Sequence, residues 1–443
     1  MADRGSQKTV PSAIQRGSGG EPPQPAAGGR IQEFFRDLGP GLITGAADDD
    51  PSGISTYSVC GAQFGYAPLW TALFSFPLMS AVQLMCARLG MVTGRGLAGV
   101  VRRRYPPYIS WIACALLIIA NVFNIGADLG GMAEASEMVT GVNRFIWTPL
   151  YAILIVSMLF WSSYRGIARI FKWLTLVLFA YVITAFLAHP DWRMVLNATL
   201  IPKLEWSRSY LAVLVAVLGT TISPYLFFWQ SSVEVEEERA IGRRSVGARK
   251  GATPAELRKS FIDVIIGMFF SNCVMYFIIL TTAATLHAHG KTTIETARQA
   301  AEALRPLAGN GAYLLFTLGL IGTGILAIPV LAGSSAYAVG EALAWKASLD
   351  LKPHLARKFY AIMLLAMVLG LCLNYLGMSA VKMLFWSAVL NGVLAPPLIL
   401  LVVVLTSDRR TMGDQTNPPL LRWVGWLSFL VMTAAALAMF IAQ

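Results

Sequence analysis

The stretch GAADDDPSGIS, residues 45–55, decides how this sequence folds, because three adjacent carboxylates stand inside an otherwise apolar segment. Asp48, Asp49 and Asp50 are followed by Pro51 and Gly53, which remove a backbone donor and add backbone freedom. A charge inside a bilayer is costly unless it is paired or hydrated, and unwound backbone there must line a cavity or be covered by protein. The pattern therefore predicts a transmembrane helix broken near its middle, with a functional site at the break.

A simpler alternative places residues 48–50 in a solvated loop between a short interfacial helix and a second apolar run. The apolar run on each side is too short to cross a bilayer alone, since a spanning helix needs about 20 residues. The broken helix is therefore favoured over the loop.

The composition is that of a polytopic membrane protein. Of the 443 residues, 56% are hydrophobic and 13% are charged, which leaves too little polar surface for a soluble protein. The net charge of +11 lies mainly in short loops, so we expect a lipid bilayer and no nucleic acid as the partner. The five cysteines lack CxxC spacing, so no disulfide framework or zinc site is predicted. No nucleotide-binding, phosphate-binding or nucleophile motif stands out, and no enzyme is predicted.

The apolar pattern predicts eleven transmembrane spans after a disordered cytoplasmic tail over residues 1–35. The transporter domain then covers residues 36–443. The predicted spans are 38–64, 67–92, 108–133, 146–161, 170–188, 209–232, 261–286, 311–344, 358–376, 380–405 and 421–441.

Basic residues fall in alternate loops and predict the orientation. They follow the second, fourth, sixth, eighth and tenth spans, whereas the opposite loops are nearly uncharged or mixed. Because positive loops stay on the cytoplasmic side, the amino terminus is expected inside and the carboxyl terminus outside the cell (inner) membrane. The acidic run Glu234, Glu236, Glu237 and Glu238 at the inner end of the sixth span is interpreted as a solvated helix end that balances the basic loop after it, with an ion exit path as the alternative.

The sixth span repeats the interruption of the first. It reads LAVLVAVLGTTISPYLFFWQSS over residues 211–232, with polar residues and Pro224 near its middle. A proline kink with Ser and Thr re-satisfying the freed carbonyls is the alternative. Two interrupted segments five spans apart instead favour an inverted-repeat transporter with a midplane site.

Four motifs resemble the NRAMP family of metal-ion transporters, and the likeness covers nearly the whole chain from about residue 36. LGPGLITGAADDDPSGISTYS (38–58) is similar to the first helix of the family, and GTTISPYLFFWQSS (219–232) to the sixth. CARLGMVTGRGLAGVVRRRY (86–105) resembles the end of the second helix, and PVLAGSSAYAVGEAL (329–343) the eighth. The resemblance implies an all-α, LeuT-type fold of 5+5 inverted repeats with helices 1 and 6 broken. Repeat one would cover about 36–190, repeat two about 205–405, and an extra helix 421–441.

The resemblance also implies a metal site. The family's metal-binding Asp falls on Asp50, its carbonyl donors on Ala47 and Thr220, its Asn ligand on Gly53 and its Met ligand on Ser223. A glutamine of the tenth helix falls on Ala388, which leaves Asn391 as the nearest amide, with Thr221 beside the second break. The two histidines of the sixth helix fall on Tyr225 and Gln230, and the Asp-x-x-Glu of the third helix becomes Asp128 followed by Gly131.

These departures point to a hard ion. Without the thioether only oxygen donors remain, and Gly53 in place of Asn is expected to enlarge the site. Mg²⁺ keeps much of its water and suits such a site. The pattern at these positions also resembles the NRAMP-related magnesium transporters more than the rest of the family. Since all four histidines lie in loops or at span ends, no imidazole is expected to relay protons. Asp128, Glu134 and Glu137 are interpreted as structural or vestibular acids, with a proton relay as the alternative.

The function expected from the sequence is import of Mg²⁺, with Mn²⁺ as a second ion, by alternating access without proton coupling. A proton-coupled Mn²⁺ or Fe²⁺ importer is the alternative in the same class. A transport-dead membrane metal sensor is the alternative from another class. No cofactor is expected beyond the transported ion, and the protein is expected to be a monomer.

Overall fold

The computed structural model describes residues 39–161 and 176–442, and all regular structure in these ranges is helical. The α-helices are α1 (Pro40–Asp48), α2 (Pro51–Phe64), α3 (Trp70–Thr93), α4 (Leu97–Arg104), α5 (Pro107–Thr140), α6 (Arg144–Trp161), α7 (Phe179–Leu187), α8 (Trp192–Leu200), α9 (Arg208–Thr221), α10 (Pro224–Ala240), α11 (Pro254–Thr285), α12 (Ala297–Ala301), α13 (Arg305–Ala308), α14 (Ala312–Ala342), α15 (Arg357–Leu373), α16 (Ala380–Ser407), α17 (Arg409–Met412) and α18 (Pro419–Ile441).

The described helices match the predicted spans closely. Nine apolar helical stretches in the described ranges are long enough to cross a membrane. The other two predicted spans are the broken pair α1–α2 and the segment containing α7, whose first predicted residues, 170–175, lie outside the described ranges. The predicted tail, residues 1–35, also lies outside them. The largest boundary error within the described ranges is at α10, which continues to Ala240 instead of ending near residue 232.

Two connecting segments that the sequence left as loops contain short helices. Asp191 begins α8 because its carboxylate accepts a hydrogen bond from the N–H of Arg193 at 2.9 Å. Thr296 and Gln299 form a reciprocal capping box that begins α12. Local polar caps therefore order both segments.

The broken sixth span lies at the centre of the bundle. The most apolar 18-residue window of α9–α10 is 94% buried against the rest of the protein, compared with 28% for α6 and for α18. Close packing helps to enclose it, because a Cβ on Gly219 of α9 would lie 2.4 Å from the backbone nitrogen of Gly392 on α16. Small residues allow such backbone approach between membrane helices. The helix break is therefore surrounded by protein, as unwound backbone in a bilayer requires.

Candidate functional site

The first break separates α1 from α2 at Asp49 and Asp50. Pro51 occupies the first turn of α2, and the Asp50 carboxylate caps that helix by accepting the N–H of Gly53 at 2.7 Å. Asp48, Asp49 and Asp50 are each no more than 5% exposed. The acids are therefore enclosed by protein at the break, and the solvated-loop alternative is wrong.

Ser271 on α11 contacts the two acids that precede Asp50. Its hydroxyl lies 2.7 Å from Asp48 Oδ2 and 3.2 Å from Asp49 Oδ1. The second oxygen of Asp48 has no hydrogen-bond partner among the described residues. The Ser271 hydroxyl is therefore shared by the buried carboxylates of Asp48 and Asp49. Asp50 instead accepts the N–H of Gly53.

At the second break, side-chain hydroxyls donate hydrogen bonds to backbone carbonyls of the preceding turn. α9 ends at Thr221 and α10 begins at Pro224. Ser223 directs its hydroxyl at the carbonyls of Gly219 and Thr220, at 3.0 and 2.6 Å. Thr221 directs its hydroxyl at the carbonyls of Val217 and Leu218. The second break therefore carries no charge, and its own hydroxyls supply hydrogen bonds to its backbone carbonyls.

Two tyrosines connect the breaks. Tyr225 donates its hydroxyl to the carbonyl of Ala47 at 2.8 Å, and the hydroxyl of Thr220 donates to that of Tyr57 at 2.9 Å. Of the predicted carbonyl donors, that of Ala47 accepts the hydroxyl of Tyr225 and that of Thr220 accepts the hydroxyl of Ser223. Since a carbonyl oxygen has two lone pairs, each retains acceptor capacity.

Gly53 does not leave open space in this structure. A Cβ added to Gly53 would lie 3.3 Å from Cε2 of Tyr57 and 3.5 Å from Oδ1 of Asp50. The Tyr57 ring, one helical turn away, already occupies the adjacent volume. The effect of Gly53 on the size of a metal site stays a prediction, and the Tyr57 ring partly fills the space beside Gly53.

Asp128 and Asn391 supply further polar groups in the interior. Both carboxylate oxygens of Asp128 and both amide atoms of Asn391 are buried without a hydrogen-bond partner among the described residues. Asp128 is close enough to Asp50 for their charges to interact. One turn from Asn391, Ser387 contacts the hydroxyl of Ser52 at 3.2 Å. Unpartnered buried polar groups of this kind are available to a ligand or to water.

No basic side chain balances the acids at the break. In residues 39–161 and 176–442, none of Asp48, Asp49, Asp50 and Asp128 forms an ion pair with Lys, Arg or His. Within the same ranges no three Asp, Glu, His or Cys side chains converge as a metal cluster. A cation here would be held by few carboxylates together with carbonyl, hydroxyl and amide oxygens, which are ligands of hard ions.

The acids farther from the break have structural partners. Glu134 accepts the N–H of Ala297 at 2.8 Å and that of Ala380 at 3.3 Å, and lies 3.7 Å from the guanidinium of Arg144. These contacts tie the end of α5 to the beginnings of α12 and α16. They favour the structural interpretation of Glu134, while Glu137 is half-buried.

The interpretation of the acidic run on α10 as a solvated helix end is wrong. Glu234, Glu236 and Glu238 are buried. Gln230, Arg239 and Arg243 are local partners within five residues, whereas Ser260 and Ser348 are distant in sequence and could not be inferred from the local pattern. Glu234 accepts hydrogen bonds from Gln230 and Ser260, Glu236 from Arg239 and Ser348, and Glu238 from Arg243.

Known proteins resemble this chain in sequence and in fold. A family model described as Nramp, natural resistance-associated macrophage protein-like, matches residues 41–442. The divalent metal cation transporter MntH of Yersinia enterocolitica is 27% identical over 400 residues, which cover 89% of this chain and 92% of that protein.

The solved structures agree with the predicted fold. The manganese transporter of Eremococcus coleocola, in complex with an aromatic bis-isothiourea substituted compound, matches with a TM-score of 0.72 and 20% identity over 94% of this chain and 88% of that one. MhsT in complex with L-phenylalanine matches with a TM-score of 0.59 and 13% identity over 92% and 98% of the two chains. The predicted LeuT-type, all-helical fold is confirmed.

Proposed function

The chain belongs to the Nramp family of metal-ion transporters, and on that basis we propose that it carries divalent cations across the membrane by alternating access at its two helix breaks. The buried acids Asp48, Asp49, Asp50 and Asp128, without a basic partner in the described ranges, are the observation that carries this proposal. A divalent ion supplies the positive charge that this interior lacks. No observation favours the alternative of a transport-dead sensor.

The proposed ligands come from both breaks. Asp50 supplies the carboxylate, which lies at the amino end of α2. The carbonyls of Ala47 and Thr220 and the hydroxyl of Ser223 supply neutral oxygens when Tyr225 and Ser223 share or release their hydrogen bonds. Asn391, which is buried and has no partner within residues 39–161 and 176–442, is the proposed amide ligand. Gly53 donates only its backbone N–H to Asp50, and Thr221 has no proposed contact with the ion.

The relatives favour Mn²⁺ as the transported ion. The names given to the proteins above are those of divalent metal cation and manganese transporters, which supports Mn²⁺ more than the Mg²⁺ expected from the sequence. One observation keeps Mg²⁺ as the second candidate. Ser223 and Gly53 leave the break without a thioether or side-chain amide of its own, and oxygen donors with retained water suit Mg²⁺.

The proposed driving force is the ion gradient together with the membrane potential. An inside-negative potential of 100 mV contributes about 4.6 kcal/mol to the import of a divalent ion. The basic loops predict that the amino terminus lies on this negative, inner side. The four histidines lie outside the breaks. His287 bonds to the carbonyl of Ala62, His289 bonds to that of Thr285, and His189 and His354 lie in connecting segments. We therefore propose import without coupled protons.

Uptake into proteoliposomes tests this function. Purified protein is reconstituted, an inside-negative potential is imposed, and Mn²⁺ entry is followed with an internal dye while external Mg²⁺ is increased. We expect saturable Mn²⁺ uptake that exceeds that of empty vesicles, and inhibition by Mg²⁺ if both ions share the site. Uptake equal to that of empty vesicles would contradict the proposal.

A further inference from the structure

α11 lies alongside both halves of the broken first helix. Asp263 of α11 accepts the N–H of Gly39 at 3.0 Å and that of Gly41 at 2.6 Å, which caps the beginning of α1. A carboxylate at this position satisfies amides that have no partner within the helix. The beginning of α1 is therefore fixed to α11.

The backbones of the two helices touch in the middle of α1. A Cβ on Gly45 would lie 2.3 Å from the carbonyl oxygen of Gly267, and a Cβ on Gly267 would lie 2.3 Å from that of Gly41. Neither position accepts a side chain without separating the helices. This approach is the small-residue packing that holds membrane helices together where no hydrophobic driving force acts between them.

Ser271 makes the third contact of α11 with α1, at the end of α1. Asp263, Gly267 and Ser271 are spaced by four residues and so share one face of α11. They span about 12 Å along the helix axis, close to the ~13.5 Å of the nine-residue α1. The hydroxyl of Ser271 therefore reaches Asp48 and Asp49 where α1 ends.

The contact continues beyond the break. A Cβ on Gly61 of α2 would lie 2.3 Å from the carbonyl oxygen of Ile279 and 2.1 Å from the hydroxyl of Thr282, both on α11. α11 thus contacts α1 and α2 closely on the two sides of Ser271. The turn between α1 and α2 carries the three acids. Ser271 of α11 hydrogen-bonds to this turn through Asp48 and Asp49.

We propose that Ser271 is a positioning residue for transport, which holds Asp48 and Asp49 against α11 so that Asp50 alone is presented as the ion-binding carboxylate. The contacts differ accordingly, since Asp48 and Asp49 share the Ser271 hydroxyl whereas Asp50 caps α2 through Gly53. Without the hydroxyl, three adjacent acids compete for the ion in a turn of less defined geometry. This inference rests on the proposed function and adds the reason why one of three adjacent acids acts as the ligand.

The test compares Ser271→Thr with Ser271→Val, which have nearly the same shape and differ by one hydroxyl. We expect Ser271→Val to raise the KM for Mn²⁺ uptake about tenfold or more, the scale of a hydrogen bond to a charged group, while Ser271→Thr stays near the wild type. Ser80→Ala is the matched control, because Ser80 is buried and its hydroxyl has no partner among the described residues. If Ser271→Val does not fold, Ser271→Ala serves in its place.

Hydrogen exchange on the protein in detergent separates this inference from the proposed function. Amides of residues 44–50 should exchange faster in Ser271→Val than in Ser271→Thr and Ser80→Ala, whether or not the wild type transports. Equal exchange and equal KM in the Val and Thr variants would overturn the positioning role. If wild-type vesicles take up no ion but the exchange difference is present, the proposed function fails and the contact of Ser271 with the turn stands.

Discussion

The two helix breaks have the same backbone form but opposite chemistry. Each has a proline in the first turn of its second half, and each is buried. The first break carries three carboxylates, and one oxygen of Asp48 has no partner in the described part of the chain. The second break carries hydroxyls that bond to their own helix. The first break therefore brings negative charge and the second brings neutral oxygens.

This difference separates affinity from selectivity. A buried carboxylate interacts strongly with a divalent ion, so changes at the first break should decide whether the ion binds at all. Changes at the second break exchange one neutral donor for another and should alter which ion is preferred. The predictions below test that division, beginning with the largest expected effect.

Asp50→Ala should abolish Mn²⁺ uptake, because it removes the only proposed carboxylate ligand. Asp49→Ala is the control at the same break and should retain measurable uptake, since Asp49 contacts Ser271 and not the proposed site. Both variants are assayed in proteoliposomes after size-exclusion chromatography confirms folded protein. Uptake by the Asp50 variant at the wild-type rate would refute the proposal that Asp50 is the carboxylate ligand of the ion.

Gly53→Asn combined with Ser223→Met should change selectivity more than affinity. The thioether offers little to Mg²⁺ and more to Mn²⁺ or Cd²⁺, so excess Mg²⁺ should inhibit Mn²⁺ uptake much less than in the wild type. Asn at residue 53 requires the Tyr57 ring to move by a few tenths of an ångström or more, so Ser223→Met alone is measured in parallel. Identical Mg²⁺ inhibition in all three proteins would place selectivity at another residue, with Asn391 the next to test.

Tyr225→Phe should have a smaller effect. It removes the hydroxyl that bonds to the carbonyl of Ala47 and so frees that oxygen for the ion. A neutral hydrogen bond contributes about 0.5–1.5 kcal/mol, so the KM for Mn²⁺ should fall by about two- to tenfold. A large rise in KM would show that Tyr225 orients the first break instead of competing with the ion.

Proton movement should give the smallest signal. Neither break contains an imidazole, so Mn²⁺ entry into vesicles that carry an internal pH dye should cause no more acidification than in empty vesicles. The control is an added protonophore, which shows that the dye responds. Acidification that depends on Mn²⁺ and disappears in Asp128→Asn would identify Asp128 as a proton carrier and support the proton-coupled alternative.

Local sequence predicted the breaks well but not their contacts. Proline, glycine and carboxylates within an apolar run were sufficient to locate both breaks, because such residues have few roles inside a membrane. The partners of these residues were not predictable in the same way. Tyr225 bonds to Ala47 across 178 residues, and Ser271 to Asp48 across 223, so only the folded chain reveals them.

The burial of Glu234, Glu236 and Glu238 was missed for a similar reason. An acidic run at a helix end is usually solvated, and nothing in the local sequence shows that distant residues enclose it. Gly53 is a different case, since the loss of a side chain implies space only if no neighbour fills it, and Tyr57 lies about one helical turn away. The signal for Tyr57 was available, because residues 50, 53 and 57 share one face of a helix.

The most direct test of the ion site is anomalous X-ray scattering from crystals grown with Mn²⁺. We predict one strong anomalous peak for a manganese ion within bonding distance of the Asp50 carboxylate and between the carbonyls of Ala47 and Thr220. Crystals of Asp50→Ala should show no such peak. A peak at Asp128 or between Asp48 and Asp49, with none at Asp50, would contradict the account.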